Sequence, residues 1–272
     1  MESSFDAAFQ LTCGKQPLLI SLPHDGTEIP PAIAARMQPW ASAVADTDWH
    51  VGRFYQPLAQ ALGASLIRPR WSRYVIDLNR PADGKPLYPG RTETGLLPLV
   101  GFDGRALYLE GQQPDEAEQQ GRVEAYWRPY HQALAAELTR LRQFHHRVLL
   151  WEGHSIRSVC PMFFEGTLSD FNLGTADGAS ASGQLLAKLC AELDQQDGYR
   201  WVANGRFKGG YITRQYGQPE TGIHAVQMEM TQACYMDERP PFPWDAERAA
   251  PAQQVVAKLL EVALGWISES AG

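Results

Sequence analysis

Short apolar runs that end in polar residues constrain the fold of this chain more than any other feature of its sequence. Residues 17–22 (PLLISL), 148–151 (VLLW) and 225–230 (AVQMEM) are too short for helices, and polar or turn-forming residues follow each of them. Runs of this length are typical of buried strands. Residues 64–67 and 74–77 are two further strand candidates.

Amphipathic stretches separate these runs. The spacing of apolar residues predicts helices at 51–62, 122–143, 185–193 and 255–266. Alternating strands and helices favour an α/β fold with a largely parallel or mixed sheet and helices on both faces. Residues 82–120 are rich in Gly and Pro without periodicity, and long irregular segments of this kind are often functional. No composition shift marks a boundary, so we predict a single domain over 1–272.

Composition excludes several classes of protein. With 44% hydrophobic residues the chain can close a core, and its net charge of -7 argues against nucleic acid as a partner. It contains no apolar run of about 18 residues that would predict a membrane span. The first residues lack a signal-peptide pattern, so we expect a cytoplasmic protein. The four cysteines form no CxxC pair, which argues against a zinc knuckle or a disulfide scaffold.

Polar residues lie where the predicted strands end. His24 follows 17–22, His154 follows 148–151, Arg80 follows 74–77, and Glu229 lies near the end of 225–230. Ligands of open α/β sheets bind beyond the carboxyl ends of the strands. We therefore expect these four side chains to converge, although each histidine could instead be an ordinary hydrogen-bonded structural residue.

Two histidines and one carboxylate are a common ligand set for catalytic zinc and leave a fourth position for water. His24 and His154 would supply the nitrogens, and Asp46 or Asp48 the carboxylate. Glu229 would then act as general base. The HExxH, GxSxG and GxxxxGK[ST] motifs are all absent, so the common metalloprotease, serine-hydrolase and nucleotide-binding signatures do not apply.

Several cations could bind an anionic ligand. Arg73 and Arg80 flank one segment, and Lys208 and Arg214 bracket another whose glycines would let the backbone approach a ligand closely. Arginine binds carboxylates in a bidentate way. Cations aimed at one pocket of an acidic protein would suit a dianionic substrate, and the alternative for each is a surface ion pair.

Seven ordered motifs carry a family resemblance. They are SLPHDGTEIP (21–30), DTDWH (46–50), RYVIDLNR (73–80), WRPYH (127–131), GHSIR (153–157), NGRFKGGYITR (204–214) and QME (227–229). Together the motifs resemble those of the N-formylglutamate amidohydrolases. One departure is Glu152, where the family usually has aspartate.

That family is in turn similar to the zinc carboxypeptidases and aspartoacylases. The resemblance implies a three-layer α/β/α sandwich with a mixed central sheet. It implies zinc (Zn²⁺) bound by His24, an acid and His154, a substrate carboxylate bound by Asn79 and Arg80, and Glu229 as general base. The carboxypeptidases place a glutamate three residues after the first histidine, where this chain has Thr27. Asp46 or Asp48 must therefore replace it, and we favour Asp48.

The activity that the resemblance implies is hydrolysis of N-formyl-L-glutamate to formate and L-glutamate in histidine degradation. Arg80, aided by Asn79, would bind the α-carboxylate or the oxyanion, and Lys208 or Arg214 the side-chain carboxylate. The alternatives are a related zinc deacylase or carboxypeptidase-like enzyme for another N-acyl amino acid, and a non-catalytic binding protein on the same scaffold. The sequence leaves open the native metal, the oligomeric state, and the preference between formyl-glutamate and formyl-aspartate.

Overall fold

The computed structural model describes residues 8–87 and 93–269, and seven strands in this part of the chain form one mixed sheet. The strands are β1 (Phe9–Thr12), β2 (Leu18–Ser21), β3 (Ser65–Pro69), β4 (Val148–Ile156), β5 (Phe171–Gly174), β6 (Trp201–Ala203) and β7 (Ile223–Thr231). Their order across the sheet is β1-β3-β2-β4-β7-β5-β6. The central strands β3, β2, β4 and β7 are parallel, whereas β1 pairs antiparallel with β3 and β5 antiparallel with β7.

Helices connect and cover the strands. They are α1 (Pro31–Ala34), α2 (Val51–Leu62), α3 (Glu116–Arg122), α4 (Arg128–Arg142), α5 (Gly183–Leu193), α6 (Tyr211–Tyr216) and α7 (Ala246–Ser268). A π-helical turn, Val123–Trp127, joins α3 to α4, and short 3₁₀ turns lie at Pro39–Ala43, Ala176–Gly178, Pro219–Thr221 and Gln232–Cys234. Among the described residues, no helix is both long and apolar enough to cross a bilayer.

Both faces of the sheet are buried, as alternate residues of β2 illustrate. Leu18 and Ile20 belong to a core that includes the buried residues of α2, α5 and α7, whereas Leu19 belongs to a second core with residues of α4. Successive side chains of a strand point to opposite faces, and full burial of each aliphatic side chain is worth roughly 1.5–3 kcal/mol. The three-layer α/β/α architecture with a mixed central sheet is thereby confirmed.

Most of the predicted elements are present with shifted ends. The runs at 17–22, 64–67, 148–151 and 225–230 correspond to β2, β3, β4 and β7, and all four predicted helices are found. The prediction for 255–266 falls within the longer α7, and that for 122–143 falls on the π turn and α4. The short strands β1, β5 and β6 were not predicted. The single domain over 1–272 stays a prediction.

The strand predicted at 74–77 is wrong. This segment forms a turn, in which the Val75 amide donates to the Ser72 carbonyl at 2.8 Å. Tyr74 and Val75 are nevertheless buried, in a small cluster that includes Ile33 and Leu107. The apolar run therefore reflects burial beneath the irregular segment that follows. That segment has no helix or strand at 82–87 or 93–115, but its predicted end at residue 120 is wrong, because α3 begins at Glu116. Its residues 88–92 lie outside the described part of the chain.

Candidate active site

The face of the sheet that packs against α4 becomes polar near the carboxyl ends of β4 and β7. Glu152 lies opposite Gln227, and His154 lies opposite Glu229, in the register of this parallel pair. Side chains two residues apart on a strand share a face, and paired residues on adjacent strands are neighbours. The two strands thus bring His154 and Glu229 side by side at the sheet edge where ligands of α/β folds bind.

Two further residues reach this edge from the segments that follow β2. His24 comes three residues after the end of β2, and the Asp48 amide donates to the His24 carbonyl at 3.0 Å. Asp48 Oδ2 lies 3.7 Å from His24 Nδ1 and 3.1 Å from His154 Nδ1, and it also accepts from the Ser155 amide. His24, Asp48 and His154 are all buried, and their potential ligand atoms lie within 4.8 Å of one another.

Asp46 has different partners. Its Oδ2 accepts hydrogen bonds from the Tyr74 hydroxyl at 2.7 Å and from the Phe102 amide at 2.8 Å, and Arg157 lies 3.4 Å from its Oδ1. The geometry therefore brings Asp48, and not Asp46, together with the two histidines.

A carboxylate accepts a hydrogen bond from Nε2 of each histidine and so orients its ring. His24 Nε2 donates to Asp77 Oδ1 at 2.7 Å, and His154 Nε2 donates to Glu152 Oε1 at 2.6 Å. In the neutral form of each ring, these bonds place the proton on Nε2, so that Nδ1, which faces Asp48, could bind a metal ion. Such carboxylate–histidine pairs are typical of metal centres, where they fix the tautomer and orientation of the ring.

Protonation in this cluster follows from burial and neighbouring charges. Burial, together with the charge of Arg73, lowers the pKa of His24. Burial also acts to lower the pKa of His154, but the charges and hydrogen bonds of Glu152 and Asp48 outweigh it and raise that pKa well above its usual value. Burial opposes ionisation of Asp77 too, yet its neighbours hold its pKa well below the usual range.

The donor set fits a divalent metal ion. Asp48, Asp77 and Glu152 surround the two histidines, and Arg73 lies among them, with Nη2 2.7 Å from Asp77 Oδ2 and Nη1 3.7 Å from Asp48 Oδ1. The charge of Arg80 also acts on Asp77. Two imidazole nitrogens and one carboxylate oxygen match the three-ligand sets of catalytic zinc.

Glu229 lies beside this cluster and lines the adjoining cavity. It is only 7% exposed, and burial raises its pKa to about 8. No described residue donates a hydrogen bond to its carboxylate. A buried acid that titrates near neutrality and faces a cavity is suited to proton transfer.

The cavity wall combines cations, apolar rings and a further acid, Glu93. Its lining residues besides the cluster and Glu229 include Arg73, Asn79, Arg80, Thr94, Phe102, Ile156, Phe163, Arg206, Phe207 and Gln227. Arg80 is held by Thr94, with 2.7 Å from Nε to the carbonyl, and by the Asn79 carbonyl at 2.9 Å. The Asn79 side chain accepts from the Ile212 amide at 2.9 Å, and its amide nitrogen lies 3.0 Å from His154 Nε2.

Two of the predicted cations are outside this lining. Lys208 forms an ion pair with Asp177 at 2.9 Å, and Arg214 is exposed and donates from Nε to the Gly209 carbonyl at 2.9 Å. Arg206 lines the cavity instead. Sequence reasoning missed it, although it lies in the quoted motif NGRFKGGYITR, because nothing in the local pattern distinguishes it from Lys208 two residues later. Asp77 was likewise missed as the partner of His24.

Comparison with known proteins gives one consistent family. A family model described as N-formylglutamate amidohydrolase matches residues 16–236. An N-formylglutamate deformylase of Pseudomonas aeruginosa is 49% identical over 261 residues, which cover 96% of this chain and 97% of that protein. A second N-formylglutamate deformylase, from Pseudomonas putida, is 47% identical over 256 residues, covering 94% of this chain and 95% of the relative.

Solved structures share the fold over nearly the whole chain. The crystal structure of an N-formylglutamate amidohydrolase from Ralstonia eutropha JMP134 matches with a TM-score of 0.81 at 26% identity, covering 96% of this chain and 98% of that one. The gene product Atu2144 of Agrobacterium tumefaciens matches with a TM-score of 0.73 at 19% identity, covering 97% of each chain, and this similarity concerns the fold alone.

Proposed function

The chain belongs to the N-formylglutamate amidohydrolase family, and from this premise we propose that it hydrolyses N-formyl-L-glutamate to formate and L-glutamate with a zinc ion. One observation carries the proposal. His24, Asp48 and His154 meet at one buried point, and Glu229 and three arginines line the cavity beside them. We further propose that the reaction belongs to histidine degradation and takes place in the cytoplasm.

The metal ligands are His24 Nδ1, His154 Nδ1 and a carboxylate oxygen of Asp48. When bound there, zinc would supply a Lewis acid for the formyl oxygen and would acidify water. Asp77 and Glu152 keep the two rings in the tautomer that presents Nδ1, since each accepts the Nε2 proton.

Glu229 is the acid/base group. Its carboxylate accepts a proton from the attacking water and then delivers it to the amide nitrogen, because an amine leaves readily only when protonated. Burial favours this second step, since a raised pKa keeps the carboxyl able to hold a proton near neutral pH.

Arg80 binds the α-carboxylate of the substrate or the developing oxyanion. Its direct contacts are with the carbonyl and hydroxyl of Thr94 and with the Asn79 carbonyl, and it forms no direct ion pair with a carboxylate among the described residues. Arg73 lies closer to the ligand cluster and is already paired with Asp77. It lines the cavity as a group that positions the acids and adds positive charge near the reacting carbonyl.

The test combines metal analysis with a substrate panel. Purified protein should contain about one zinc per chain. It should release formate from N-formylglutamate faster than from N-formylaspartate or N-formylglutamine, and should leave N-acetylglutamate almost intact. Faster cleavage of N-acetylglutamate would instead favour the alternative of a related zinc deacylase for another N-acyl amino acid. A metal-loaded protein that binds these compounds and cleaves none of them would be a binding protein, and the proposal would fail.

A further inference from the structure

We propose that Arg206 binds the side-chain carboxylate of the substrate, an inference that rests on the hydrolysis proposed above. A substrate with two carboxylates needs two cationic partners, because a desolvated carboxylate without one is costly. Among the described residues, the arginines that line the cavity are Arg73, Arg80 and Arg206. Arg73 lies at the acid cluster, paired with Asp77 and 3.7 Å from Asp48, and Arg80 is assigned to the α-carboxylate, so Arg206 is the cavity-lining arginine that we assign to the distal carboxylate.

The loop after β6 holds Arg206 in place. Arg206 Nε donates to the Phe163 carbonyl at 2.7 Å, which fixes the plane of the guanidinium. Asn204, at the start of this loop, has a positive φ of 51°, and its Oδ1 accepts from the Thr175 amide at 2.8 Å. A cation whose position is fixed before binding loses less conformational entropy when the ligand arrives.

The surroundings of Arg206 suit the methylene groups of a glutamate side chain. The guanidinium carbon lies 5.4 Å from the centre of the Phe207 ring and 5.9 Å from that of Phe163. Both rings line the cavity, as does Ile156 at the end of β4. An apolar wall that leads to a cation is complementary to an aliphatic chain that ends in a carboxylate.

The competing cations have less suitable positions. Lys208 is paired with Asp177, and Arg214 is exposed and donates to the carbonyl of Gly209. Neither is among the cavity-lining residues. Assignment of the distal carboxylate to either would require the segment 208–214 to move toward the ligand, whereas Arg206 already lines the cavity.

The experiment compares two substrates that differ only in charge. For Arg206→Gln, kcat/KM for N-formylglutamate should fall roughly ten- to a hundredfold, the value of a charge-assisted hydrogen bond. The change for the isosteric N-formylglutamine should stay within about threefold, because its neutral amide does not require a cation. Arg206→Lys keeps the charge and loses the bidentate guanidinium, so its kcat/KM for N-formylglutamate should lie between those of the wild type and Arg206→Gln. Arg239→Gln, at an exposed arginine bonded to Asp237, is the matched control for charge loss and should not alter the ratio.

Three outcomes separate the alternatives. An equal loss on both substrates in Arg206→Gln would make Arg206 structural and overturn the inference. A selective loss in Lys208→Gln or Arg214→Gln in place of Arg206→Gln would move the anchor to those residues and also overturn it. If the wild-type protein releases no formate from N-formylglutamate, the proposed function fails. If it does release formate, but Arg206→Gln lowers kcat/KM equally for both substrates, only this inference is contradicted.

Discussion

Asp46 and Asp48 are two residues apart and chemically identical, yet their surroundings give them different tasks. Asp48 lies between two imidazole Nδ1 atoms, whereas Asp46 accepts from a tyrosine hydroxyl and a backbone amide. Burial raises the pKa of Asp46, while the histidines beside Asp48 outweigh the effect of burial and lower its pKa. At the scale of single residues, neighbours and not residue type decide which carboxylate can bind a metal.

This difference predicts how two isosteric variants bind zinc. Asp48→Asn should weaken zinc binding on the order of a hundredfold or more, since it replaces a charged ligand with a neutral one. Asp46→Asn should retain zinc affinity within a few fold, because its amide oxygen can still accept from Tyr74 and Phe102. Competition with a chromogenic chelator measures both, and the reverse ranking would assign Asp46 as the ligand.

Glu229 offers a second test at the residue scale. Glu229→Gln preserves the shape of the side chain and breaks no hydrogen bond with described residues, so the fold and zinc content should be kept. Turnover should fall by roughly 10²–10⁴, the usual contribution of a proton-transfer group. Glu220→Gln, in the turn before β7, makes the same chemical change outside the cavity and controls for it. Steady-state kinetics within about tenfold of wild type would exclude Glu229 as the general base.

Two elements hold the segment that carries Asn79 and Arg80. From the π turn and α4, Trp127 Nε1 donates to the Arg80 carbonyl at 2.9 Å, and His131 Nε2 donates to the Leu78 carbonyl at 2.9 Å. On the other side, the backbone of Gly210, at the start of α6, packs against the Asn79 side chain. Gly210 therefore allows the backbone to approach Asn79, a residue of the candidate site.

Gly210 is the point of closest approach. A Cβ at this position would lie 2.2 Å from the Asn79 amide nitrogen, so Gly210→Ala must displace Asn79, which neighbours His154. We expect kcat/KM to fall about 10- to 100-fold, since misplacement of site groups by about 1 Å can cost that much. Gly121→Ala, in α3 with open space around its Cβ, is the matched control and should leave kcat/KM unchanged. Full activity of Gly210→Ala would mean that Asn79 has no positioning role.

Across the whole molecule, two buried histidines outside the site link stability to pH. Burial lowers the pKa of His131 to about 4, and burial with the charge of Arg147 lowers that of His224 to about 4. His131 is packed against the Trp127 ring at 3.7 Å, and in its neutral form it donates from Nε2 to the Leu78 carbonyl and accepts from the Tyr216 hydroxyl at Nδ1. Both side chains are therefore neutral in the folded protein near neutral pH.

The sign of the pH dependence follows from these values. Between about pH 6.5, the pKa of an unfolded histidine, and pH 4, the unfolded chain binds protons that the folded chain does not, so acid lowers the free energy of unfolding. Of the loss between pH 7 and pH 5, His131 should account for roughly 2 kcal/mol. Urea unfolding at pH 7 and pH 5 measures the loss of unfolding free energy caused by acid. In His131→Gln this loss should be smaller than in the wild type by about 2 kcal/mol. An unchanged loss would show that His131 does not contribute.

The sequence by itself determined the central strands, the main helices and the positions of three residues that line the candidate site. Short apolar runs and the 3.6-residue periodicity of helices are local properties, so β2, β4, β7 and the amphipathic helices could be found from short windows. His24, His154 and Glu229 followed from the same windows, because ligands of α/β sheets bind where strands end. The motifs that indicated the family are also contiguous stretches of chain.

Only the tertiary structure decided the rest of the site. Asp48 and His154 are 106 positions apart in sequence, and no local pattern states which of two aspartates will meet a distant histidine. The same holds for Asp77 behind His24 and for Arg206 in place of Lys208 or Arg214 at the cavity wall. The apolar run at 74–77 misled the strand prediction because a buried turn and a buried strand have similar composition. Irregular segments have no repeating backbone pattern, so their side chains acquire their positions only from contacts made after the chain has folded.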